Sequence, residues 1–284
     1  MKKITIAALL SVAMLTTTVV AENIKMGVIL GFTGPIESLT PTMAGSAEMA
    51  FKEASDSGKL LNGSTIEVVR ADSTCIDAAA ATIAAERLIT SDRVAGIMGA
   101  DCSGVTTAIA NNVAIPNGVT MVSPSATSPA LTDIDDNGYF FRTAPSDARG
   151  GEILAQVVIE RGVSKVAVTY TNNDYGKGLA DSFSSAFTAL GGTVTMDASH
   201  EDGKGDYSAE VAALSASGAN ELVVIGYLDQ GGRGIIQSSI DSGAFSTFVL
   251  SDGMIGQSLI DNVDGDLSGS FGTIAGSDSE GAAI

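Results

Sequence analysis

Short apolar runs alternate with longer stretches of helical periodicity from near the start of this sequence. The first three runs, at 24–30, 66–71 and 94–98, have the length of strands. Each precedes a segment whose apolar residues recur at helical spacing. Such alternation is the signature of βαβ units, which build a parallel sheet covered by helices on both faces. The segments that complete this unit are helices at 43–57, 78–89 and 105–111 and a fourth strand at 120–122.

The same alternation starts again after a polar stretch at 133–137. It predicts helices at 152–160, 178–190, 207–215 and 234–240 and strands at 166–170, 194–198, 222–225 and 248–250. We therefore predict an α/β fold of two doubly wound, Rossmann-like lobes, at 22–142 and 143–274. Because open α/β sheets bind ligands at the carboxyl ends of their strands, two such lobes facing each other would form a ligand cleft.

The first 21 residues have the features of an export signal. Lys2 and Lys3 supply positive charge, 4–20 is mostly apolar, and small residues precede position 22. A membrane anchor is the alternative, but three threonines at 16–18 interrupt the apolar run, which is shorter than the roughly 20 residues of a spanning helix. We expect residues 1–21 to be a cleaved signal peptide and the remainder to reach the periplasm without inserting into the membrane.

Composition narrows the classes of partner. The 284-residue chain carries a formal net charge of -18 at pH 7, so nucleic acid and anionic lipid surfaces would repel it. The acidic residues are dispersed, which fits solubility and specifies no cationic ligand. A hydrophobic content of 45% is enough for two cores, and no later apolar run approaches the length of a membrane span.

Cysteine and histidine usage bears on disulfides and metals. Cys75 and Cys102 are the only cysteines, and in an oxidising compartment we expect them to be joined. Each follows a predicted strand, so neighbouring parallel strands would bring both to one sheet edge. The sole histidine, His200, lies far along the chain, which argues against a metal site. We predict no metal and no cofactor.

Catalytic signatures are missing from this sequence. It shows no nucleophile paired with a base and no paired carboxylates in a recognisable pattern. The glycines at 31–34 do not form the G-x-G-x-x-G dinucleotide fingerprint, and the chain has no Walker lysine motif. We predict a binding protein without catalytic residues. A hydrolase on a similar scaffold is the least favoured alternative.

The loops that follow the predicted strands differ between the two lobes. In the first lobe they are rich in glycine and small hydroxyls and nearly free of charge; they lie at 31–35, 99–104 and 123–127. In the second lobe they contribute aromatic and acidic residues and lie at 171–176, 226–229 and 251–253. A cleft between the lobes would present hydroxyl groups on one side and phenols with carboxylates on the other.

Several short motifs follow one another along the chain. They are Met26-Gly27-Val28 with Thr33-Gly34-Pro35, Cys102-Ser103, the run from Ser123 to Pro129, Phe141-Arg142-Thr143, and Asp174-Tyr175-Gly176-Lys177-Gly178. In this order and spacing, over about 24–281, the sequence resembles the leucine/isoleucine/valine-binding protein family, the branched-chain amino-acid receptors of ABC importers. The resemblance implies the type I periplasmic-binding fold, capture of an amino acid or related amide by lobe closure, and docking on a membrane ABC permease. A ligand-binding sensor or regulatory receptor with the same cleft is the alternative.

The resemblance also implies ligand-binding residues. The positions that match the family's carboxylate site are Ser103, Ser125, Ala126 and Thr127, where hydroxyl and backbone N–H groups can donate hydrogen bonds. Helix capping alone would equally explain the two serines. For the ligand's ammonium group the resemblance implies Asp252, aided by the Thr127 hydroxyl. Asp252 stands where leucine-type receptors have glutamate, and without the resemblance it would be an ordinary turn residue.

The same resemblance implies residues that enclose the ligand. Tyr175 and Tyr227 would close over it with their ring faces, although packing would also explain tyrosines at strand ends. Leu39 and Gly226 would line the side-chain pocket. Leucine-type receptors have a large aromatic residue in place of Leu39, so this pocket would differ in shape.

Two further expectations come from the resemblance. The matching cysteines of the family are paired, which supports a bond between Cys75 and Cys102 beside the ligand-binding loop. Family members continue well beyond the segment that matches 276–280. Residues 275–284 would therefore begin a return crossover to the first lobe, and the chain looks truncated at its C-terminus.

Overall fold

The computed structural model describes residues 21–276, which contain ten strands and eight helices. The strands are β1 Asn23–Leu30, β2 Thr65–Asp72, β3 Gly96–Gly99, β4 Thr120–Ser123, β5 Phe140–Arg142, β6 Lys165–Thr171, β7 Thr193–His200, β8 Glu221–Ile225, β9 Phe248–Leu250 and β10 Phe271–Gly272. The helices are α1 Thr40–Asp56, α2 Ala78–Glu86, α3 Ser103–Ile109, α4 Asp147–Glu160, α5 Asp174–Ala189, α6 Ser208–Ala216, α7 Gly231–Ser242 and α8 Gln257–Asn262. Short π-helical turns at Arg87–Ser91 and Ala110–Ala114 extend α2 and α3.

The strands form two parallel sheets of five strands each. The first sheet has the order β2-β1-β3-β4-β5 and the second has the order β10-β9-β8-β6-β7. We call β1 to β5 with α1 to α3 the first lobe, and β6 to β10 with α4 to α8 the second lobe. In each lobe the strand order reverses at a switch point, beside β1 in the first and beside β6 in the second. The predicted α/β fold of two doubly wound lobes is confirmed.

The predicted alternation of strands and helices agrees with the observed elements, with boundaries that differ by a few residues. Three elements were missed: β5, β10 and α8. The two strands have three and two residues, which is too short to show a periodic pattern. The helix has six residues and buries only Leu259, so its sequence shows no apolar stripe.

Alternation of buried side chains explains why both faces of each sheet are covered. In β1, Val28 and Leu30 pack against α1, whereas Ile29 belongs to the core cluster that includes side chains of α2 and α3. In β6, Val168 clusters with side chains of α4 and α5, and Ala167 clusters with those of α6 and α7. Strands buried on both faces appear in the sequence as continuous apolar runs.

The register of the parallel strands brings their carboxyl ends to one edge in each lobe. In the first lobe Leu30 pairs with Asp72, and Ile29 pairs with Gly99. In the second lobe Tyr170 pairs with Ile225. The loops that follow these strands therefore lie side by side, as the predicted cleft requires.

Asp101 and the disulfide tie the loops of the first lobe together. The buried Asp101 carboxylate accepts hydrogen bonds from the Gly31 N–H at 2.6 Å and from the Cys102 N–H at 2.9 Å, and the Ser73 hydroxyl lies 3.3 Å away. The predicted bond between Cys75 and Cys102 is present. The two cysteines do not follow neighbouring strands, however, because β1 lies between β2 and β3. Their bond crosses the end of β1.

Some predictions fall outside the described residues. The signal peptide predicted at 1–21 does so apart from residue 21, as does most of the segment at 275–284. The lobe boundaries at 142 and 274 stay predictions. No helix among residues 21–276 is long and apolar enough to cross a membrane.

The contact between α4 and α5 requires glycine at one position. Leu154 of α4 and Phe183 of α5 are fully buried at this contact. A Cβ atom on Gly151 would lie 2.6 Å from the Phe183 N atom and 2.7 Å from the Ser182 Cβ atom. Because backbone lies on the far side of this contact, the helices would have to move apart to accept a side chain.

We expect Gly151→Ala to lower the free energy of unfolding by about 1 to 3 kcal/mol through overpacking. Gly45 provides the matched control, since it lies within α1 and a Cβ atom there would meet nothing within 4 Å. Gly45→Ala should raise the free energy of unfolding by about 0.5 to 1 kcal/mol. Urea denaturation of both variants measures these changes, and a stable Gly151→Ala protein would contradict the close contact.

Candidate functional site

A cavity of about 650 Å³ lies between the strand-end loops of the two lobes. Its volume falls within the roughly 300 to 1,000 Å³ that is typical of small-molecule sites. The first lobe contributes the loop after β1, the start of α1 and the loops after β3 and β4. The second lobe contributes Tyr175, Tyr227 and the loop after β9. The lining includes Ile36, Ser38, Leu39, Thr42, Met43, Cys102, Ser103, Ser125, Thr127, Tyr175, Tyr227, Asp252 and Ile255.

Most of the residues singled out from the sequence meet in this one cavity. Seven of them line it: Leu39, Ser103, Ser125, Thr127, Tyr175, Tyr227 and Asp252. Ala126 and Gly226 are not among the lining residues and are buried behind the surface. The Ala126 N–H donates to Ser123 Oγ at 2.9 Å, and the Gly226 N–H donates to Ser251 Oγ at 3.3 Å. These two backbone donors therefore stabilise the loops.

Ser103 organises the first-lobe wall of the cavity. Its Oγ atom accepts hydrogen bonds from the Thr127 N–H at 3.2 Å and from the Ser128 N–H at 3.1 Å. The N–H groups of Ala126 and Thr127 thus already have acceptors within the protein, and their role in ligand binding stays a prediction. A serine hydroxyl has one proton to donate and two lone pairs. With both lone pairs occupied, the proton of Ser103 is left for a group in the cavity.

Ser125 has a different role from Ser103. Its hydroxyl donates to the Asp101 carbonyl oxygen at 3.0 Å, which links the loop after β4 to the loop after β3. The hydroxyl proton is therefore used within the protein. Ser103 is the first residue of α3 and supplies no side-chain hydrogen bond that caps it, and Ser125 lies in no helix, so capping does not account for either serine.

The two tyrosines stack on each other along the second-lobe wall. The ring centroids of Tyr175 and Tyr227 are 5.3 Å apart with an interplanar angle of 18°. The Tyr175 hydroxyl donates to Asp252 Oδ1 at 2.6 Å and accepts a hydrogen bond from the Gly253 N–H at 3.2 Å. Its single proton thus holds Asp252 in place, and the ring faces the cavity.

Two carboxylates from the second lobe lie close together at this site. Asp252 follows β9, and Asp147 begins α4, where it is only 4% exposed. Burial and, after it, the nearby charge of Asp252 raise the pKa of Asp147 to about 7, although the Thr127 hydroxyl and the Arg142 charge oppose the shift. Burial also raises the pKa of Asp252, while the hydrogen bond from Tyr175 opposes that shift.

Neither carboxylate forms an ion pair among the described residues. Asp147 Oδ2 and Thr127 Oγ1 are buried and form no hydrogen bond of good geometry within residues 21–276, but the Thr127 hydroxyl lies close enough to lower the pKa of Asp147. The charge of Arg142 acts on Asp147, but its guanidinium donates to the carbonyl oxygens of Ala126 and Ser128. A buried acid without an ion-pair partner is costly, so the boundary between this cavity and the smaller one that Asp147 lines favours a cation that donates hydrogen bonds.

Apolar side chains form the remaining wall. Ile36, Leu39 and Met43 from the first lobe and Ile255 from the second contribute most of it. Leu39 lines this wall, and it also packs with the core of the second lobe. The cavity therefore joins a hydroxyl donor, a pair of acids and an aliphatic surface.

Asp147 is the main site residue that the sequence reasoning missed. It follows Ser146, whose hydroxyl accepts a hydrogen bond from the Ala148 N–H at 3.3 Å as the N-cap of α4. In the sequence an acid after such a serine is typical of the first turn of a helix. Only the backbone hydrogen bond from the Asp147 N–H to the Thr127 carbonyl oxygen, at 2.9 Å, brings it to the site.

Comparison with known proteins places this geometry in context. The Leu/Ile/Val-binding protein homolog 1 of Brucella melitensis is 29% identical over 240 residues, which is 84% of this chain and 62% of that protein. The branched-chain amino-acid transporter substrate-binding protein LivJ of Streptococcus pneumoniae, solved in complex with isoleucine, is 28% identical with a TM-score of 0.73. The alignment covers 84% of this chain and 67% of that one.

A third protein shows how widely the fold is used. A solute-binding protein of an ABC transporter from R. palustris, solved in complex with 4-hydroxybenzoate, has a TM-score of 0.70 at 22% identity over 82% of this chain and 62% of that one. At this identity the likeness concerns the fold alone. The alignment with the curated Brucella relative described above spans about three fifths of that protein's length.

A family model described as periplasmic binding protein matches residues 23–276. This match includes both sheets, all eight helices and the whole cavity between them. The family resemblance expected from the motifs is confirmed, and the chain belongs to the periplasmic binding protein family.

Proposed function

We propose that this protein is the substrate-binding component of an ABC importer and that it binds a zwitterionic amino acid, of the branched-chain type by default. One observation carries the proposal. A single cavity between the lobes presents the free proton of Ser103, the hydroxyl of Thr127 and the carboxylate of Asp252 to the same ligand-sized space. Asp147 lines a smaller adjoining cavity, which shares Thr127 and Asp252 with the first.

The hydroxyl side suits an α-carboxylate. Ser103 has its lone pairs occupied and only its proton to offer, so it favours an anionic acceptor. Thr127 lies between this side and the acids, and its buried hydroxyl has no partner among the described residues. It can donate to the carboxylate or accept from the ammonium group.

The acidic side suits a protonated amine. An ammonium group donates through its protons, and Asp252 and Thr127 Oγ1 are acceptors for it at the cavity wall, with Asp147 beside them in the adjoining cavity. Its positive charge would lower the pKa of Asp147 toward the ordinary carboxyl range, because the charged form would then be paired. Binding therefore relieves a cost that the folded protein carries without ligand.

The aliphatic wall suits a side chain without charge. Ile36, Leu39, Met43 and Ile255 offer no hydrogen bonds, so a polar side chain would lose its hydration without replacement. A branched aliphatic chain fits this surface. The names of the Brucella relative and of the LivJ structure with isoleucine support the same class.

An aromatic carboxylate is the second candidate, because a protein of the same fold was solved with 4-hydroxybenzoate. Such a ligand has a carboxylate for Ser103 but no cation for Asp147 and Asp252. We therefore rank it below an amino acid. A sensory receptor would use the same cleft with a different partner, and a hydrolase would alter its ligand.

The proposed setting is the periplasm, with a membrane permease as partner. Family membership supports both, and the bond between Cys75 and Cys102 fits an oxidising compartment. Lobe closure would signal to the permease that ligand is bound. We propose no catalytic residue, cofactor or nucleic-acid partner.

Calorimetry with L-leucine, L-isoleucine, L-lysine and 4-hydroxybenzoate tests the ligand class. We expect stoichiometric binding of the two branched amino acids, weaker binding of lysine because its second ammonium meets the aliphatic wall, and no binding of the aromatic acid. Mass spectrometry should recover the ligand unchanged. Tight binding of 4-hydroxybenzoate alone would reject the proposal, and recovery of a product would favour the hydrolase.

Thr127→Ala should weaken leucine binding by about 1.5 to 3 kcal/mol with the fold retained, since it removes hydrogen bonds to a charged group. Thr188→Ala is the matched control, because its exposed hydroxyl bonds only within α5. Calorimetry measures both. An unchanged affinity in Thr127→Ala would remove this residue from the site.

Asp252→Asn should cost more for a ligand with an ammonium group than for one without it. We expect a loss of about 1.5 to 3 kcal/mol for leucine and little change for 4-methylpentanoate, the analogue of leucine that lacks the amine. Equal losses for the two compounds would argue against an ammonium partner at this position.

Asp147→Asn should make the ligand-free protein more stable at pH 8, by about 2 to 4 kcal/mol. The pKa of Asp147 is about 7 in the folded protein, against an ordinary value of 3.8. Because the unfolded chain ionises this group more readily, the free energy of unfolding of the wild type falls as the pH rises from about 3.8 through 7. The variant lacks this loss, so its advantage should shrink toward zero at pH 4. Urea denaturation at the two pH values measures the gap. A gap that does not depend on pH would contradict the buried acid.

A further inference from the structure

Asp229 joins the two lobes directly, at the rim of the cavity. It lies in the loop after β8 of the second lobe, and its partners belong to the loop between β1 and α1 of the first lobe. The Asp229 N–H donates to the Pro35 carbonyl oxygen at 3.0 Å, and its Oδ2 atom accepts a hydrogen bond from the Ser38 N–H at 2.9 Å. Backbone and side chain of one residue thus bind the same loop of the opposite lobe.

The carboxylate is oriented from its own lobe. Ser258 of α8 donates its hydroxyl to Asp229 Oδ1 at 2.6 Å. Each carboxylate oxygen therefore has its own donor, one from each lobe. This arrangement fixes the side chain for the contact with Ser38, so less rotational freedom is lost when the lobes meet.

Apolar packing accompanies these hydrogen bonds. A Cβ atom on Gly256 would lie 3.4 Å from Leu39 Cδ2 and 3.2 Å from Leu228 Cδ1. Leu39 of the first lobe therefore lies directly against the second lobe, next to the loop that Asp229 holds. Ser38 and Leu39 also line the cavity, so this contact closes over the space in which a ligand would lie.

We propose that Asp229 is a positioning residue that holds the lobes closed and so sets the residence time of the bound ligand. It makes no contact with the cavity itself and acts through the loop that carries Ser38 and Leu39. A hydrogen bond from an N–H group to a carboxylate is stronger than one between neutral groups, although exposure to solvent weakens it. The ligand leaves only when the lobes part, so losing this contact raises the dissociation rate and leaves association nearly unchanged.

Stopped-flow measurement of L-leucine binding to the full chain tests the inference. Asp229→Ala should raise the dissociation rate about tenfold with an association rate within twofold of wild type. Asp229→Asn should rescue most of the effect, because an amide oxygen can accept from the Ser38 N–H and the amide nitrogen can donate to the Ser258 hydroxyl. Equal dissociation rates in wild type and Asp229→Ala would overturn the proposal. A dissociation rate in Asp229→Asn equal to that in Asp229→Ala would also overturn it.

A matched control is Asp261→Ala on α8, whose carboxylate accepts only from Gln257 of the same helix. Its dissociation rate should equal that of wild type. Should Asp229→Ala fail to fold, Ser258→Ala removes the orienting donor and should raise the dissociation rate two- to fourfold. No change in Ser258→Ala would then overturn the proposal.

The inference rests on the proposed function for the choice of leucine as ligand, whereas the contact that Asp229 makes between the lobes does not depend on that function. If wild type does not bind leucine, the proposed function fails by itself. The contact is then judged by small-angle scattering of the ligand-free proteins, in which Asp229→Ala must have a larger radius of gyration than wild type and Asp229→Asn. Equal radii would overturn the contact as a closing element.

Discussion

The site depends on a charge that the protein leaves unbalanced. Asp252 lies at the wall of the cavity and Asp147 lies beside it in a smaller adjoining cavity, and no lysine or arginine forms an ion pair with either among residues 21–276. Burial disfavours their ionised forms, and the charge of Asp252 adds to the cost of ionising Asp147. The fold carries this cost because the carboxylates are held by strand-end and helix-start backbone, which cannot turn them out to solvent.

The surrounding contacts keep these acids and the opposite hydroxyls in place. Tyr175 gives its only proton to Asp252, so the carboxylate keeps one orientation. On the other wall, Ser103 accepts hydrogen bonds from two backbone N–H groups. Asp101 and the disulfide hold the loop that precedes Ser103 in place. A preorganised site of this kind spends little entropy when a ligand enters. The two lobes contribute different chemistry, and this difference is the basis of the proposed zwitterionic ligand.

Lobe closure and ligand binding share one loop. The segment between β1 and α1 lines the cavity through Ile36, Ser38 and Leu39, and the same segment receives Asp229 from the other lobe. Contacts with the ligand and contacts between the lobes therefore strengthen each other, since both form only when the two edges meet. Leu39 belongs to both sets because one part of it faces the cavity and another packs against the second lobe.

Much of this protein could be predicted from sequence, because its strands are buried on both faces. Runs such as Val166 to Val168 are continuous and apolar, so the fold class followed from the pattern, whereas the predicted cavity residues followed from the family resemblance. Local pattern could not show whether a donor was already in use. Ala126 and Gly226 turned out to bond within the protein, and Asp147 looked like an ordinary first-turn acid. Which groups remain unpaired at the cleft depends on partners 20 to 80 residues away, such as Tyr175 for Asp252 and Ser103 for Thr127. Only the tertiary structure, which brings distant loops within hydrogen-bonding distance, decided that.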